Sequence, residues 1–193
     1  MNSGTTLLER AVSYATRSVL DVTPANLQCP TPCHAWNLDM LLRHASESLA
    51  ALHDATATGH VALIPGSECG LFDPVQAFRN QAGRLLAARA VSRPRQEVEV
   101  GDLSLPGIAV ECAGAIEIAV HGWDISQACD QCRPIPESLA ASLLVIVPLL
   151  IPVTGRHPLF SPPVQTDPQA SLGDQLVAFL GRQPRPPGTP GPA

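Results

Sequence analysis

The chain is 193 residues long, 45% hydrophobic and only 15% charged, against roughly 25% charged in an average globular chain. That excludes a disordered protein and leaves room for one domain with an ordinary core, with or without a tail. The net charge is -5, all 12 basic residues are Arg and none is Lys. No basic cluster occurs, so a nucleic-acid partner is not expected, and Schiff-base or phosphate-loop lysine chemistry is excluded.

In chain order, Thr6 and Glu9 have capping-box spacing ahead of Leu8, Val12, Ala15 and Val19, which predicts a first helix from Thr6 to Leu20. Met1 to Glu9 has neither the basic nor the apolar region of a signal peptide. Thr23-Pro24 opens a turn, and the prolines of Cys29-Pro30-Thr31-Pro32-Cys33 require extended or turning backbone. Asn37 caps a second helix with Leu38, Leu41, Leu42, Ala45, Leu49 and Leu52 as its apolar stripe, ending between Ala57 and Gly59. Gly59 to Phe72 reads as loop, with a turn at Pro65-Gly66. Asp73-Pro74 caps and starts a third helix carrying Phe78, Ala82, Leu85 and Leu86.

Glu97 to Val100 and Leu103 to Leu105 alternate around Gly101-Asp102, a small hairpin closed by Pro106-Gly107. A fourth helix follows from Ile108 to Ala128, and a fifth from Pro136-Glu137, expected to break at or before Pro148. The apolar stretch Leu139 to Ile151 is too short for a bilayer span, which needs roughly 18 residues. Thr154 to Pro168 is Pro-rich and irregular, a last helix runs from Ser171 to Leu180, and the tail from Pro184 has nothing to pack. The expected fold is all-α, a bundle with a small β-hairpin and an irregular Pro-rich C-terminal segment, not a βαβ fold. It comprises a domain over 1–183 and a disordered tail over 184–193. No membrane partner is expected, and the cytoplasm is the expected compartment.

On the fourth helix Glu117 and His121 are one turn apart, and Asp124 extends the same ridge through otherwise apolar sequence. Buried carboxylates need partners. A divalent metal would supply one, while a solvated Glu-His ion pair is the plain alternative. A third ligand must come from another helix: His44 lies about 100° from the leucine stripe of the second helix, where it can face the bundle interior. His53 sits closer to the stripe, near the helix end, and is the poorer choice.

Thr31-Pro32-Cys33-His34-Ala35-Trp36-Asn37 followed by Leu41-Leu42-Arg43-His44 resembles a signature of the DinB-like family, and specifically of its branch related to mycothiol-dependent maleylpyruvate isomerases. Glu117-Ile118-Ala119-Val120-His121-Gly122-Trp123-Asp124 is similar to that family's second signature. Leu103 to Gly107, Phe160 to Val164 and Ala178 to Arg182 look like further landmarks, so the resemblance runs from Leu7 to Arg182.

It implies a four-helix bundle holding one divalent metal, zinc first and nickel or iron as alternatives, on His44, Glu117 and His121. It also implies a low-molecular-weight thiol co-substrate, mycothiol or a relative, acting on a small electrophile as an S-transferase or isomerase. The chain is too short to include the additional C-terminal domain of the full isomerase. A homodimer stays open.

Asp124 is expected either to hold the tautomer of a ligand imidazole or to lie on the helix surface. Trp36 and Trp123 read first as packing residues, with lining of the thiol pocket as the alternative. Arg79 and Arg182 are candidates for holding an anionic substrate or a thiol carboxylate. The six cysteines, at 29, 33, 69, 112, 129 and 132, read as reduced thiols. Cys29/Cys33 and Cys129/Cys132 could instead form a four-cysteine metal site or a redox pair. A zinc-bound anti-sigma pattern fails because Ile125 stands where it needs His. The rival functions are therefore a redox- or metal-responsive binding protein and a metallohydrolase.

Overall fold

A computed structural model describes residues 6–33, 36–62, 73–156 and 160–184. The expected turn at Pro65-Gly66, Cys69 and nearly all of the tail lie outside the described residues. The chain is mostly helical, with α1 (Leu7–Val19), α2 (Leu38–Ala57), α3 (Pro74–Val91), α4 (Gly107–Ala128), α5 (Glu137–Leu150) and α6 (Leu172–Phe179). The remaining regular elements are one turn of 3-10 helix, Pro24–Asn26, and three short strands, β1 (His60–Val61), β2 (Glu97–Val100) and β3 (Leu103–Pro106).

Local sequence explains most of the boundaries. The Thr6 hydroxyl accepts from the Glu9 amide at 3.3 Å while the Thr6 amide donates to the Glu9 carboxylate at 2.7 Å, a reciprocal capping box. Asn37 and Asp73 cap α2 and α3 through their side-chain oxygens. The stripe expected on the second helix is the one that packs: Leu38, Leu41, Leu42, Ala45, Leu49 and Leu52 are all buried.

Three expectations need correction. The sheet is not a lone hairpin: β1 pairs in parallel with β2, His60 opposite Glu99 and Val61 opposite Val100, while β2 and β3 are antiparallel. With α3 between them, β1 and β2 make a miniature parallel crossover, missed because two residues show no period-two pattern. Helix α5 does not stop at Pro148 but runs to Leu150. Proline removes one amide and clashes one turn back, and here the helix ends within that final turn, so little is lost. Finally, α4 begins at Gly107, one residue earlier than expected.

Helix α4 is apolar around nearly its whole circumference from Gly114 onward, and every residue from Ile118 to Ala128 is buried. Such a helix must be enclosed. It packs against α1, α2, α5 and both hairpin strands, while α2 also packs on α3 and α5 on α6. Its backbone runs close to that of α1: a Cβ on Gly122 would lie 2.8 Å from Ala15 Cα. That backbone cannot give way as a flexible side chain can.

Gly122→Ala is therefore expected to destabilise the fold by about 1–3 kcal/mol through overpacking. Gly83→Ala in α3, where a Cβ meets nothing within 4 Å, should instead stabilise by roughly 0.5–1 kcal/mol through helix propensity. Urea denaturation of the two variants tests the opposite signs.

Candidate metal centre

The polar ridge of α4 faces α2. His44 Nε2 lies 2.8 Å from Glu117 Oε1 and His121 Nε2 lies 3.3 Å from the same oxygen. One ligand atom from each of His44, Glu117 and His121 can be chosen so that all lie within 4.8 Å of one another, the one such group of metal-ligating side chains among the described residues. Two imidazoles and a carboxylate are a donor set for zinc, iron or nickel. Access is one-sided: the side chains of His44 and Glu117 are 36% and 32% exposed, that of His121 only 7%. The residues therefore fit a divalent ion with one face open.

Behind the open face lies a buried chain of charge. His121 Nδ1 is 3.1 Å from Asp124 Oδ2, and Arg182 Nη2 donates to the same oxygen at 3.0 Å. Asp124 is fully buried, not a surface carboxylate. Burial alone would raise its pKa, but the Arg182 charge and the His121 hydrogen bond outweigh that and hold it below its ordinary value.

Glu117 behaves likewise. Burial works against the carboxylate, yet hydrogen bonds from His121 and His44 pull it well below the usual carboxylate range. For His121, burial disfavours the charged ring, while bonds to Asp124 and Glu117 raise its pKa to about 9. Without a metal, the raised pKa favours an imidazolium with a carboxylate within ion-pair distance on each side.

Ser48, which sequence reasoning missed, stands four residues after His44 and donates to Glu117 Oε1 at 3.2 Å. Its one-turn spacing from His44 was the available signal. Trp36 packs on the His44 ring at a centroid distance of 4.5 Å and so walls the centre. Trp123 is a core residue. Arg79 is exposed on α3 and is not bonded to the cluster. His53 faces Asp54 instead.

Among the described residues no cysteine joins a metal-holding group. Cys29, Cys33, Cys112 and Cys129 are free thiols. Burial lifts the Cys129 thiol to about 11 and raises that of Cys33 against the pull of Arg182. Neither is an activated thiolate.

A cleft of about 380 Å³ lies elsewhere, where Arg89 meets Glu9 and Glu111. It includes no residue of the cluster. No helix among the described residues is long and apolar enough to cross a membrane. The sequence matches no family model and no curated protein.

The buried charges set a pH profile for the metal-free chain. His121 has a folded pKa above its ordinary 6.5, so its contribution is fully present below about 6.5 and is lost as pH rises through about 9. Glu117, with a depressed pKa, contributes above its ordinary 4.5 and loses that as pH falls. Chelator-treated protein should be most stable between about 4.5 and 6.5 and lose on the order of 3 kcal/mol by pH 9 to 10. Denaturation midpoints across this range test the sign, and a flat profile above 6.5 would mean that His121 carries no extra proton.

Proposed function

We propose that the chain is a divalent-metal-dependent enzyme of the DinB-like superfamily, which activates a low-molecular-weight thiol for attack on a small electrophile. The observation that carries this reading is the convergence of His44, Glu117 and His121 from two helices on a half-open point, with a buried carboxylate behind one imidazole. The pairing of α1 with α4 and of α2 with α3 and α4 supports reading the first four helices as a four-helix bundle. The sequence signatures around Trp36–His44 and Glu117–Asp124 supply the thiol, with mycothiol as first choice.

Zinc, nickel or iron at this position would draw the proton from a coordinating thiol and leave a nucleophile at neutral pH. The chain's own residues do the remaining work. Asp124 fixes the His121 ring through Nδ1, so that Nε2 is turned to the centre. Arg182 keeps Asp124 ionised by pairing with it where no water reaches. Ser48 holds the Glu117 carboxylate in place. Trp36 limits the rotation of His44 and offers an apolar wall for an organic electrophile. The raised pKa of Cys33 keeps it protonated at neutral pH, so it does not compete for the entering thiol's part.

Purified protein should carry close to one divalent ion per chain, and His44→Ala, Glu117→Ala and His121→Ala should each remove most of it. Metal analysis by mass spectrometry checks this, and full occupancy in all three variants would end the assignment. Incubation with mycothiol and a panel of electrophiles should then give thioethers or rearranged products that disappear in His121→Ala. Products carrying added water, formed equally well without thiol, would redirect the reading to a metallohydrolase.

A further inference from the structure

The proposed chemistry has no use for the cleft beside Arg89. Its volume of about 380 Å³ is within the roughly 300–1,000 Å³ of small-molecule sites. It lies where the start of α1, the ends of α2 and α3 and the first turns of α4 meet β2, with Leu52, Val98 and Val110 among its apolar lining. Glu111, its nearest residue along α4 to the metal centre, precedes Glu117 by about 9 Å of helix. The cleft is therefore a separate cavity on the same helices.

One wall is made by a close backbone approach. A Cβ on Gly107 would collide with the Arg95 carbonyl, so the chain after α3 lies against the start of α4 only because residue 107 has no side chain. From there Arg95 reaches the end of α2, its Nε and Nη2 donating to the Thr56 and Ala57 carbonyls at 3.2 Å and 2.6 Å. Arg93 also lines the cleft and is exposed. It makes no hydrogen bond or ion pair among the described residues. The carboxylates of the cleft are committed. Glu111 pairs with Arg89 at 2.7 Å, while Glu9 lies 3.5 Å from the same guanidinium and accepts from the Thr6 amide at 2.7 Å. Neither Arg93 nor Arg95 has a carboxylate partner among the described residues. The N-terminus of α4 adds charge of the same sign, because Pro106 supplies no capping side chain and the first turn holds no acid. The donors left over in this cleft are therefore cationic.

We infer that this cleft binds a small organic monoanion, its acidic group on Arg93 and its apolar body against Leu52, Val98 and Val110. The three arginines and two glutamates of the lining leave one positive charge in excess, which a monoanion balances. A guanidinium presents a fork of donors matched to a carboxylate, and the apolar lining rewards a hydrocarbon body. An inorganic anion would leave that lining wet, and a neutral apolar guest would leave Arg93 unanswered. The site shares no residue with His44, Glu117 or His121, so its failure and that of the metal assignment are separable.

The test is calorimetric titration of the full-length protein with octanoate, with acetate and 1-octanol as probes carrying the acid or the chain alone. Octanoate should bind saturably, and acetate and octanol should each bind at least about tenfold more weakly. Arg93→Gln should weaken octanoate at least about fivefold with helix content and metal content unchanged. Arg84→Gln, exposed on α3 and outside the cleft, should leave the affinity as it was. In the wild-type protein the amide resonances of Arg93, Val98 and Val110 should shift saturably with octanoate. Absence of saturable octanoate binding, equal affinity in Arg93→Gln, or acetate or octanol binding as tightly as octanoate would overturn the site. So would shifts that leave those three amides unmoved. Affinity lost in His121→Ala and kept in Arg93→Gln would also overturn it, by putting the carboxylate on the metal.

Discussion

Asp124 has no solvent-exposed surface, and much of the molecule is arranged around keeping its charge there. An ionised carboxylate in the interior needs both opposite charge and hydrogen-bond donors. It receives them from His121, one helical turn before it, and from Arg182, 58 residues after it. The first partner fixes an imidazole that faces the centre. The second pins the end of the C-terminal helix to the last turns of the most buried helix. One carboxylate therefore couples the geometry of a candidate ligand to the docking of a distant segment, and neither can shift without leaving a buried charge unpaired.

That docking depends on how α6 ends. Gly181 has φ +82, a conformation that side-chain-bearing residues rarely adopt, and a Cβ there would fall 2.7 Å from the Ser161 carbonyl oxygen. The amides of Gly181 and Arg182 return to the carbonyls of Ala178 and Val177, the two bonds of a Schellman turn. The next two carbonyls, Phe179 and Leu180, are taken by Arg156 and Arg182. All the carbonyls that a helix end leaves without partners are thus satisfied. The turn that stops the helix is also what sends the Arg182 side chain inward to Asp124.

The ridge of Glu117, His121 and Asp124 was legible in the sequence because helical spacing places residues three and four apart on one face. His44 was legible through its offset from a leucine stripe whose burial follows from the same periodicity. The capping box of α1 and the Pro-initiated α3 were equally local. What stayed hidden was long-range. Nothing in the spacing pairs Arg182 with Asp124, so that carboxylate could equally have been a surface group. Arg156 lies in Pro-rich sequence without a period, where burial has no sequence signature. Strand β1 is two residues long and exists only through its partner β2. Pro148 misled because its cost depends on how much helix follows it.

The same cluster offers its donors to a proton and, if one binds, to a divalent ion. With a proton on His121, each of the ring's nitrogens has a carboxylate within ion-pair distance, and the group needs no metal to balance its charge. With a divalent ion, that proton must leave, because a ligand imidazole is neutral. Competition between the two ties the centre's affinity to the electrostatics behind it: the more firmly Asp124 and Glu117 hold the imidazolium, the more metal binding must recover. Asp124 works in both directions, since it stabilises the proton and also makes the neutral ring a more basic ligand. The asymmetry of exposure shows which side of the cluster is open. His121 and Asp124 are sealed, whereas His44 and Glu117 meet solvent, so the side of the cluster that bears on α2 is the accessible one.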